Sequence, residues 1–115
     1  MKRDSLILMK IIEYASEIAA AINRFDLDYD KFTKDTFTKG GIVFFILQIG
    51  ELANKLSDET TQKYNEVPWR HIAGMRNRIA HGYDTTDEEI VWAVATSEIP
   101  KLKLHCEKML KEIES

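Results

Sequence analysis

The side chains best suited to chemistry in this sequence are concentrated in residues 67–83. The segment contains three arginines, Arg70, Arg76 and Arg78, two of the three histidines and no acidic residue. Guanidinium groups bind phosphate through paired hydrogen bonds, and imidazoles gain and lose protons near neutral pH. The formal net charge of the whole chain is nevertheless −3. A basic segment in an acidic protein indicates either a site for phosphate groups or a helix face paired with acidic neighbours.

Helical geometry divides this segment into two faces. At 3.6 residues per turn, Asn77 and His81 lie on one face together with Arg70, and Arg76 lies in the middle of the other. An arginine centred on an apolar face needs a partner, and Glu51 is a candidate. The apolar side chains that surround Arg76 on this face are Trp69, Ile72, Met75, Ile79 and Ala80.

On a straight helix Arg76 and His81 point about 140° apart. They converge only if the helix frays near Gly82 or if two copies of the chain bring their segments together. Asn77 lies one turn before His81 and could determine which ring nitrogen carries the proton. The hydroxyl of Tyr83 lies at the mouth of the same site.

A second candidate site is the acidic run at Asp26, Asp28 and Asp30, which has the spacing that begins an EF-hand calcium loop. The sixth position of the loop, which requires glycine, is Lys31. The twelfth position, which requires a bidentate glutamate, is Phe37. We therefore interpret the run as an acidic connection between helices.

The histidines and the single cysteine do not suggest a metal site. No histidine pair has a zinc-ligand spacing, and His105 is expected at the surface or its boundary. Cys106 shares an apolar stripe with Leu102 and Met109, so we expect it in the core. One cysteine excludes an internal disulfide, which favours a reducing, cytoplasmic location. We expect no metal and no cofactor.

Composition indicates one folded domain over residues 1–115. The chain is 44% hydrophobic and 30% charged, and it contains two prolines and five glycines. Its longest apolar run, residues 42–47, is too short for a membrane span. A domain of this length buries roughly two thirds of its unfolded surface, so a homodimer would add useful burial.

Apolar residues at three- and four-residue spacings predict helices rather than strands. Asp4 or Ser5 could cap a first helix, whose apolar face is Leu8, Ile11, Ala15, Ile18 and Ile22. The first half of a second helix is apolar nearly all round, so this helix should be the most buried. Its repeating positions are Ile42, Phe45, Ile49, Leu52 and Leu56.

Proline, glycine and capping signals divide the second half of the chain. Pro68 suits the start of a third helix and Gly82 its end. Thr86 and Glu89 form a capping-box pattern for a fourth helix, and Pro100 opens the last one. The sequence therefore predicts an all-α bundle of four to five helices.

Residues 76–83, RNRIAHGY, resemble the Arg-x4-His-x-Tyr motif of HEPN-domain proteins, specifically the HepT-like toxins of HepT/MNT systems. The resemblance covers nearly the whole chain. The IGE segment ending at Glu51, the Pro68-Trp69-Arg70 segment and the Val-Trp pair ending at Trp92 also match that family.

This resemblance implies an up-and-down helical homodimer with a shared cleft and a metal-independent endoribonuclease activity. Arg76 and His81 would be catalytic. The implied partner is a minimal nucleotidyltransferase (MNT) antitoxin, which would adenylylate Tyr83. Asp84 departs from the family, whose members often have an aromatic or apolar residue there, and it places an acid beside the modified tyrosine.

The residue types suit RNA cleavage, because RNA supplies its own nucleophile in the 2′-hydroxyl. His81 could act as general base or acid, and Arg76 could stabilise charge on the phosphorus. Asn77 would orient His81, while Arg70 and Arg78 would hold flanking phosphates.

Two other interpretations remain open. The same dimer could bind a nucleotide or substrate for the nucleotidyltransferase without cutting RNA. Alternatively, Arg76 and Glu51 could be only a buried ion pair within a purely structural helical dimer.

Overall fold

The computed structural model describes residues 2–79 and 88–115, and within these ranges it contains helices and no strand. The helices are α1 (Lys2–Arg24), α2 (Tyr29–Lys34), α3 (Thr36–Asn54), α4 (Asp58–Lys63), α5 (Trp69–Ala73), α6 (Met75–Ile79), α7 (Glu88–Ala93), a π-helical turn (Val94–Glu98) and α8 (Ile99–Glu114). The all-α prediction is confirmed.

The first helix buries the face that its periodicity predicts. Leu8, Ile11, Ala15 and Ile18 are buried, whereas Ile22 near the end of the helix is only partly covered. This face packs against α3 and α8, which form the main bundle together with α1. Burial of such an apolar face supplies most of the stability of a helix in a globular protein.

The helix α3 is the central element, as predicted, and contacts α1, α2, α5 and α6. Its outer side is less buried than its composition suggests, because Phe37 is 91% exposed and Phe44 is 52% exposed. Its length and mean hydropathy would also suit a membrane span, a pair of properties shared by many core helices. The helix ends at Asn54, so the predicted extension to Leu56 is wrong, although Leu56 is buried just beyond the end.

Two short helices, α2 and α4, lie in segments that the sequence suggested were connections. Asp28 caps α2, and its carboxylate accepts a hydrogen bond from the Lys31 backbone N–H at 2.8 Å. Asp30 lies in the first turn of α2 and pairs with Lys34 at 3.0 Å. Two of the three acids of the EF-hand-like run thus stabilise a short helix, which agrees with its interpretation as a connection.

The predicted third helix is interrupted at Gly74, which separates α5 from α6. Glycine has among the lowest helix propensities, so a break at this residue costs little. Hydrogen bonding continues across the break, since the Gly74 N–H donates to the Arg70 carbonyl at 3.0 Å and the Asn77 N–H donates to the Gly74 carbonyl at 3.0 Å. The predicted end of this helix at Gly82 lies outside the described residues.

The predicted fourth and last helices are not separate, because α7 continues through the π-helical turn into α8. Pro100 lies in the first turn of α8, where its missing N–H removes a bond that a continuous α-helix would make to the preceding turn. The wider turn accommodates this loss, and the Ile99 N–H donates to the Val94 carbonyl five residues earlier. Thr86 of the predicted capping box lies outside the described residues.

The capping role predicted for Asp4 or Ser5 at the start of α1 is wrong, because α1 already begins at Lys2. The buried Asp4 carboxylate instead accepts hydrogen bonds at the start of α4. Its donors are the Ser57 backbone N–H at 3.1 Å, the Ser57 hydroxyl at 2.6 Å and the Thr60 hydroxyl at 2.6 Å. Burial raises the pKa of Asp4, but these hydrogen bonds outweigh it and leave the pKa below its usual value.

We expect Asp4→Ala to lower the free energy of unfolding by about 2–3 kcal/mol at neutral pH, because a charged acceptor of three hydrogen bonds is lost. Since the folded pKa of Asp4 is lowered, its contribution is complete above the unfolded pKa and disappears as the pH falls through the folded pKa. Denaturant unfolding of the parent and of Asp4→Ala should therefore show a difference in the free energy of unfolding that becomes smaller as the pH falls into the acidic range. The exposed Asp30→Ala is the control, and an equal loss in both variants would contradict this role.

Candidate active site

The helices α5 and α6 position the basic segment by burying one side of it. Trp69, Ile72, Met75 and Ile79 are buried, which confirms the apolar face predicted for these four residues, while Ala80 lies outside the described residues. The Trp69 indole N–H donates to the Tyr64 carbonyl at 3.1 Å and so anchors the start of α5. The exposed side of the two helices carries the arginines.

Arg76 pairs with Glu51 of α3, with 2.7 Å between Nη1 and Oε1. The predicted partner is therefore confirmed. The position of Arg76 at the centre of the buried apolar face, as the helical projection gave it, is wrong, because its side chain is 66% exposed and that of Glu51 is 44% exposed. The helical projection assumed a straight helix, and the interruption at Gly74 falls just before Arg76. Glu51 thus holds Nη1 of Arg76, and the rest of the guanidinium remains accessible to an anion from solvent.

Glu51 reaches Arg76 because α3 and α5 approach closely at Gly50. A Cβ atom on Gly50 would lie 3.3 Å from the Ile72 carbonyl oxygen and 3.8 Å from that of Ala73. A larger side chain at this position would separate the two helices. The glycine of the IGE segment therefore permits the contact that its neighbouring glutamate makes.

We expect Gly50→Val to destabilise the protein by about 2 kcal/mol, because the added methyl groups push α5 away from α3. Gly41→Ala is the matched control on the same helix, where an added Cβ meets nothing within 4 Å. The control should stabilise by up to about 1 kcal/mol through helix propensity. Thermal unfolding measures both, and a Gly50→Val variant as stable as Gly41→Ala would contradict the close approach.

Arg78 points to a different carboxylate from Arg76. Its Nη1 lies 2.7 Å from His71 Nε2 and 3.4 Å from Glu98 Oε1, and the same Nε2 lies 2.7 Å from Glu98 Oε1. The ring nitrogen can accept a hydrogen bond from Arg78 or donate one to Glu98, but it cannot do both. Whether Nε2 of His71 carries a hydrogen therefore selects which of these two hydrogen bonds forms.

Glu98 remains ionised in this cluster. Burial raises its pKa, but the hydrogen bonds and charges of His71 and Arg78 outweigh burial and leave its pKa below the usual value. Glu98 is located in the π-helical turn, 27 residues beyond His71. No spacing in the sequence links these residues, because the pairing depends on how the last helical run packs beside α5.

Arg70 and Asn77, the other supporting residues predicted from the sequence, are exposed. Neither side chain forms a hydrogen bond or ion pair with another described residue, so both are available to a ligand. His81 and Tyr83, together with Gly82 and Asp84, lie outside the described residues. The predicted contact between Asn77 and His81, and the convergence of Arg76 and His81, therefore stay predictions.

The structure reveals a cavity of about 280 Å³ beside α5 that the sequence did not suggest. Its wall combines apolar and basic side chains with one carboxylate, Glu98. His105 also reaches it and is partly buried, as expected for a boundary residue. The lining residues are Val67, Pro68, His71, Ile72, Glu98, Lys101, Leu102 and His105.

Cys106 lies fully buried in the core, as predicted. Burial raises the pKa of its thiol to about 12, so the reactive thiolate is scarce near neutral pH. The part of the chain that the structure describes also contains no group of three or more potential metal-ligating side chains.

Comparison with known proteins places this chain in a family. The family described as "Ribonuclease HepT-like" matches residues 9–109. "Putative RNase MJ0125" of Methanocaldococcus jannaschii is 32% identical over 114 residues, which cover 98% of this chain and 97% of the relative. "Putative RNase TTE0752" of Caldanaerobacter subterraneus subsp. tengcongensis is 36% identical over 87 residues, which cover 76% of this chain and 74% of the relative.

A third relative carries the family name itself. "Probable ribonuclease HepT" of Thermococcus cleftensis is 28% identical over 111 residues, which cover 96% of this chain and all of the relative. No solved structure matches the chain. The match over residues 9–109, together with 32% identity along 97% of the MJ0125 relative, shows that the chain belongs to the ribonuclease HepT-like family.

Proposed function

We propose that this protein is the toxin of a HepT/MNT toxin–antitoxin system and a metal-independent endoribonuclease that acts in the cytoplasm. The observation that carries this proposal is the accessible Arg76 guanidinium, held by Glu51 at 2.7 Å and located five residues before His81. Family membership supports ribonuclease activity, and the relatives named as RNases support it further.

In the proposed reaction His81 takes the proton of the RNA 2′-hydroxyl, whose oxygen attacks the adjacent phosphorus. A protonated His81 then gives a proton to the leaving 5′-oxygen, which yields a 2′,3′-cyclic phosphate and a 5′-hydroxyl. Arg76 binds the non-bridging oxygens through paired hydrogen bonds and stabilises the developing charge. Arg70 and Arg78 would hold neighbouring phosphates, and Asn77 would orient His81.

A homodimer would bring Arg76 and His81 of the two copies together, which one straight helix cannot do within a single copy. Phe37, Phe44 and Glu51 recur at seven-residue intervals along α3 and so share its outer face. Two of them are strongly exposed aromatic side chains, which are typical of a contact surface. A second copy seated on this face would bring two Arg76 side chains, each beside its own Glu51, to one shared cleft.

The purified chain should cleave single-stranded RNA in excess EDTA and leave 2′,3′-cyclic phosphate ends, because the proposed mechanism uses only side chains. Mass spectrometry of the products identifies these ends. Loss of cleavage on chelation, with recovery on adding a divalent metal, would contradict metal independence. Cleavage products with 3′-hydroxyl ends would contradict attack by the 2′-hydroxyl.

Control by the antitoxin is proposed to operate through Tyr83. An MNT-type nucleotidyltransferase would transfer AMP to its hydroxyl and place a bulky anion beside the motif arginines, where it excludes RNA. We expect Tyr83→Phe to remain toxic when the antitoxin is co-expressed, since the acceptor oxygen is absent. Growth and intact-mass measurements test this, with Tyr29→Phe as the control. Silencing of Tyr83→Phe by the antitoxin would exclude this modification as the mechanism.

A second candidate function is a non-catalytic subunit that binds a nucleotide or substrate for the nucleotidyltransferase. It is favoured by one observation: Arg76 and Arg78 are both paired with carboxylates, Glu51 and Glu98. Such pairing suits selective binding as well as catalysis. A protein that binds nucleotide and stimulates the nucleotidyltransferase, but never cleaves RNA, would support this candidate.

A further inference from the structure

A row of basic side chains extends away from the motif segment along α8. Lys101, His105 and Lys108 recur at intervals of four and three residues, so they lie on one face of the helix. At 1.5 Å per residue, the first and last of them are about 10 Å apart along the axis. A shallow depression lined by Glu66, Lys101, Leu104, His105 and Lys108 follows this row.

The row is continuous with the cluster around Arg78. Lys101 and His105 line the 280 Å³ cavity on one side, and His71 lines it on the other. His71 in turn contacts Arg78 at 2.7 Å. We call this path, from Arg78 through His71 and the cavity to Lys101, His105 and Lys108, the basic track.

The charge along the basic track is only partly neutralised within the described residues. At the Arg78 end, Glu98 pairs with His71 and Arg78, and Glu66 lines the depression near the Lys108 end. Lys101 and Lys108 form no ion pair with any described residue. Apolar surface alternates with this charge, since Pro68 and Leu102 line the cavity and Leu104 is 68% exposed.

Basic groups spaced along a groove with apolar surface between them suit single-stranded nucleic acid. The cations bind the phosphates, and unstacked bases lie against the apolar parts. A cavity of about 280 Å³ is close to the lower end of the range of small-ligand sites and is open to basic side chains at its edge.

We propose that the basic track binds the RNA strand beside the scissile phosphate, with one base in the cavity and the next phosphates on Lys101 and Lys108. This inference rests on the proposed ribonuclease function, because it extends the substrate of that site. Arg78 connects the two regions. A phosphate bound at the Arg78 end of the basic track would replace the Glu98 carboxylate as the partner of Arg78.

The test compares two double variants in a His81→Ala background, which prevents cleavage during binding. Lys101→Ala/Lys108→Ala removes two cations of the basic track. Lys10→Ala/Lys103→Ala is the control, because Lys103 projects about 200° away from Lys101 around α8 and Lys10 pairs with Glu13 on α1. Fluorescence anisotropy with a labelled single-stranded RNA and with an abasic strand of equal length measures affinity across a salt series.

We expect the track variant to bind RNA about tenfold more weakly near 100 mM salt and its salt slope to fall by about 1.4, which corresponds to two lost phosphate contacts. The control should retain the affinity and slope of the parent. Because the cavity is proposed to hold one base, the parent should also bind the intact RNA more tightly than the abasic strand. Circular dichroism establishes that each variant is folded.

Equal RNA affinity of the two double variants would overturn the proposal, as would loss of antitoxin binding without loss of RNA binding. Equal affinity for the abasic strand would overturn the assignment of the cavity. These failures differ from a failure of the proposed function. If the ribonuclease proposal holds, the chain with His81 intact cleaves RNA whatever the track variants do, whereas a chain that neither binds nor cleaves RNA contradicts both proposals.

Discussion

Replacing His81 with alanine should reduce RNA cleavage by about 10²–10⁴-fold, because the proposed reaction loses the group that would move both protons. Initial rates on a defined single-stranded RNA measure this loss, and growth of cells that express the variant alone should recover in parallel. The effect should appear in kcat, since RNA binding is assigned to the arginines and the basic track and not to the His81 imidazole.

A variant outside the motif segment and the basic track distinguishes chemistry from general damage. Gln62→Ala shortens an exposed side chain of α4 and should change kcat by much less than His81→Ala. Both variants should retain the helical circular dichroism spectrum of the parent. Unchanged cleavage by His81→Ala would remove the enzymatic interpretation, and the nucleotide-binding candidate would then take its place.

Arg76→Ala is expected to lower kcat by about 10²–10³-fold, which is typical for removing one group that stabilises transition-state charge. Stability should change little, because an ion pair with a side chain that is 66% exposed is worth at most about 1 kcal/mol. Kinetic assays and denaturant unfolding of the same preparations test the two effects separately. A large loss of stability with little loss of rate would support the purely structural interpretation of this pair.

Arg76→Lys is an informative companion variant, because lysine keeps the positive charge but cannot bind a phosphate through a planar pair of hydrogen bonds. We expect it to recover only a small part of the activity that Arg76→Ala loses.

Glu51→Gln removes the negative charge beside Arg76 and leaves a neutral amide oxygen that can still accept a hydrogen bond from the guanidinium. It should weaken positioning of the guanidinium while favouring the binding of anions, so KM should fall more than kcat.

The main bundle was predictable because its helices are long and strongly periodic. The face of α1 from Leu8 to Ile18 could be identified from spacing alone, since each buried residue lies three or four positions from the next. Cys106 was predictable for the same reason. The pairing of Arg76 with Glu51 could also be anticipated, because an arginine beside an apolar face requires an acid within reach.

Contacts between distant segments could not be predicted in this way. Asp4 caps no turn of its own helix, and its partner Ser57 lies 53 residues away. Glu98 meets His71 only because the π-helical turn carries it there, and the turn itself reflects the local response to Pro100. The break at Gly74 changed the position of Arg76 because periodicity describes an unbroken helix and gives no information about where it stops.

In the free protein the Glu51 carboxylate competes with outside anions for Arg76. The carboxylate occupies the position on the guanidinium that a phosphate oxygen would take, so an incoming polyanion has to displace Glu51 before it can bind Arg76. An exposed pair worth up to about 1 kcal/mol sets a threshold of roughly fivefold in affinity. This modest loss of affinity disfavours anions that contact only the Arg76 guanidinium. A strand that makes several contacts at once gains enough binding free energy to displace Glu51.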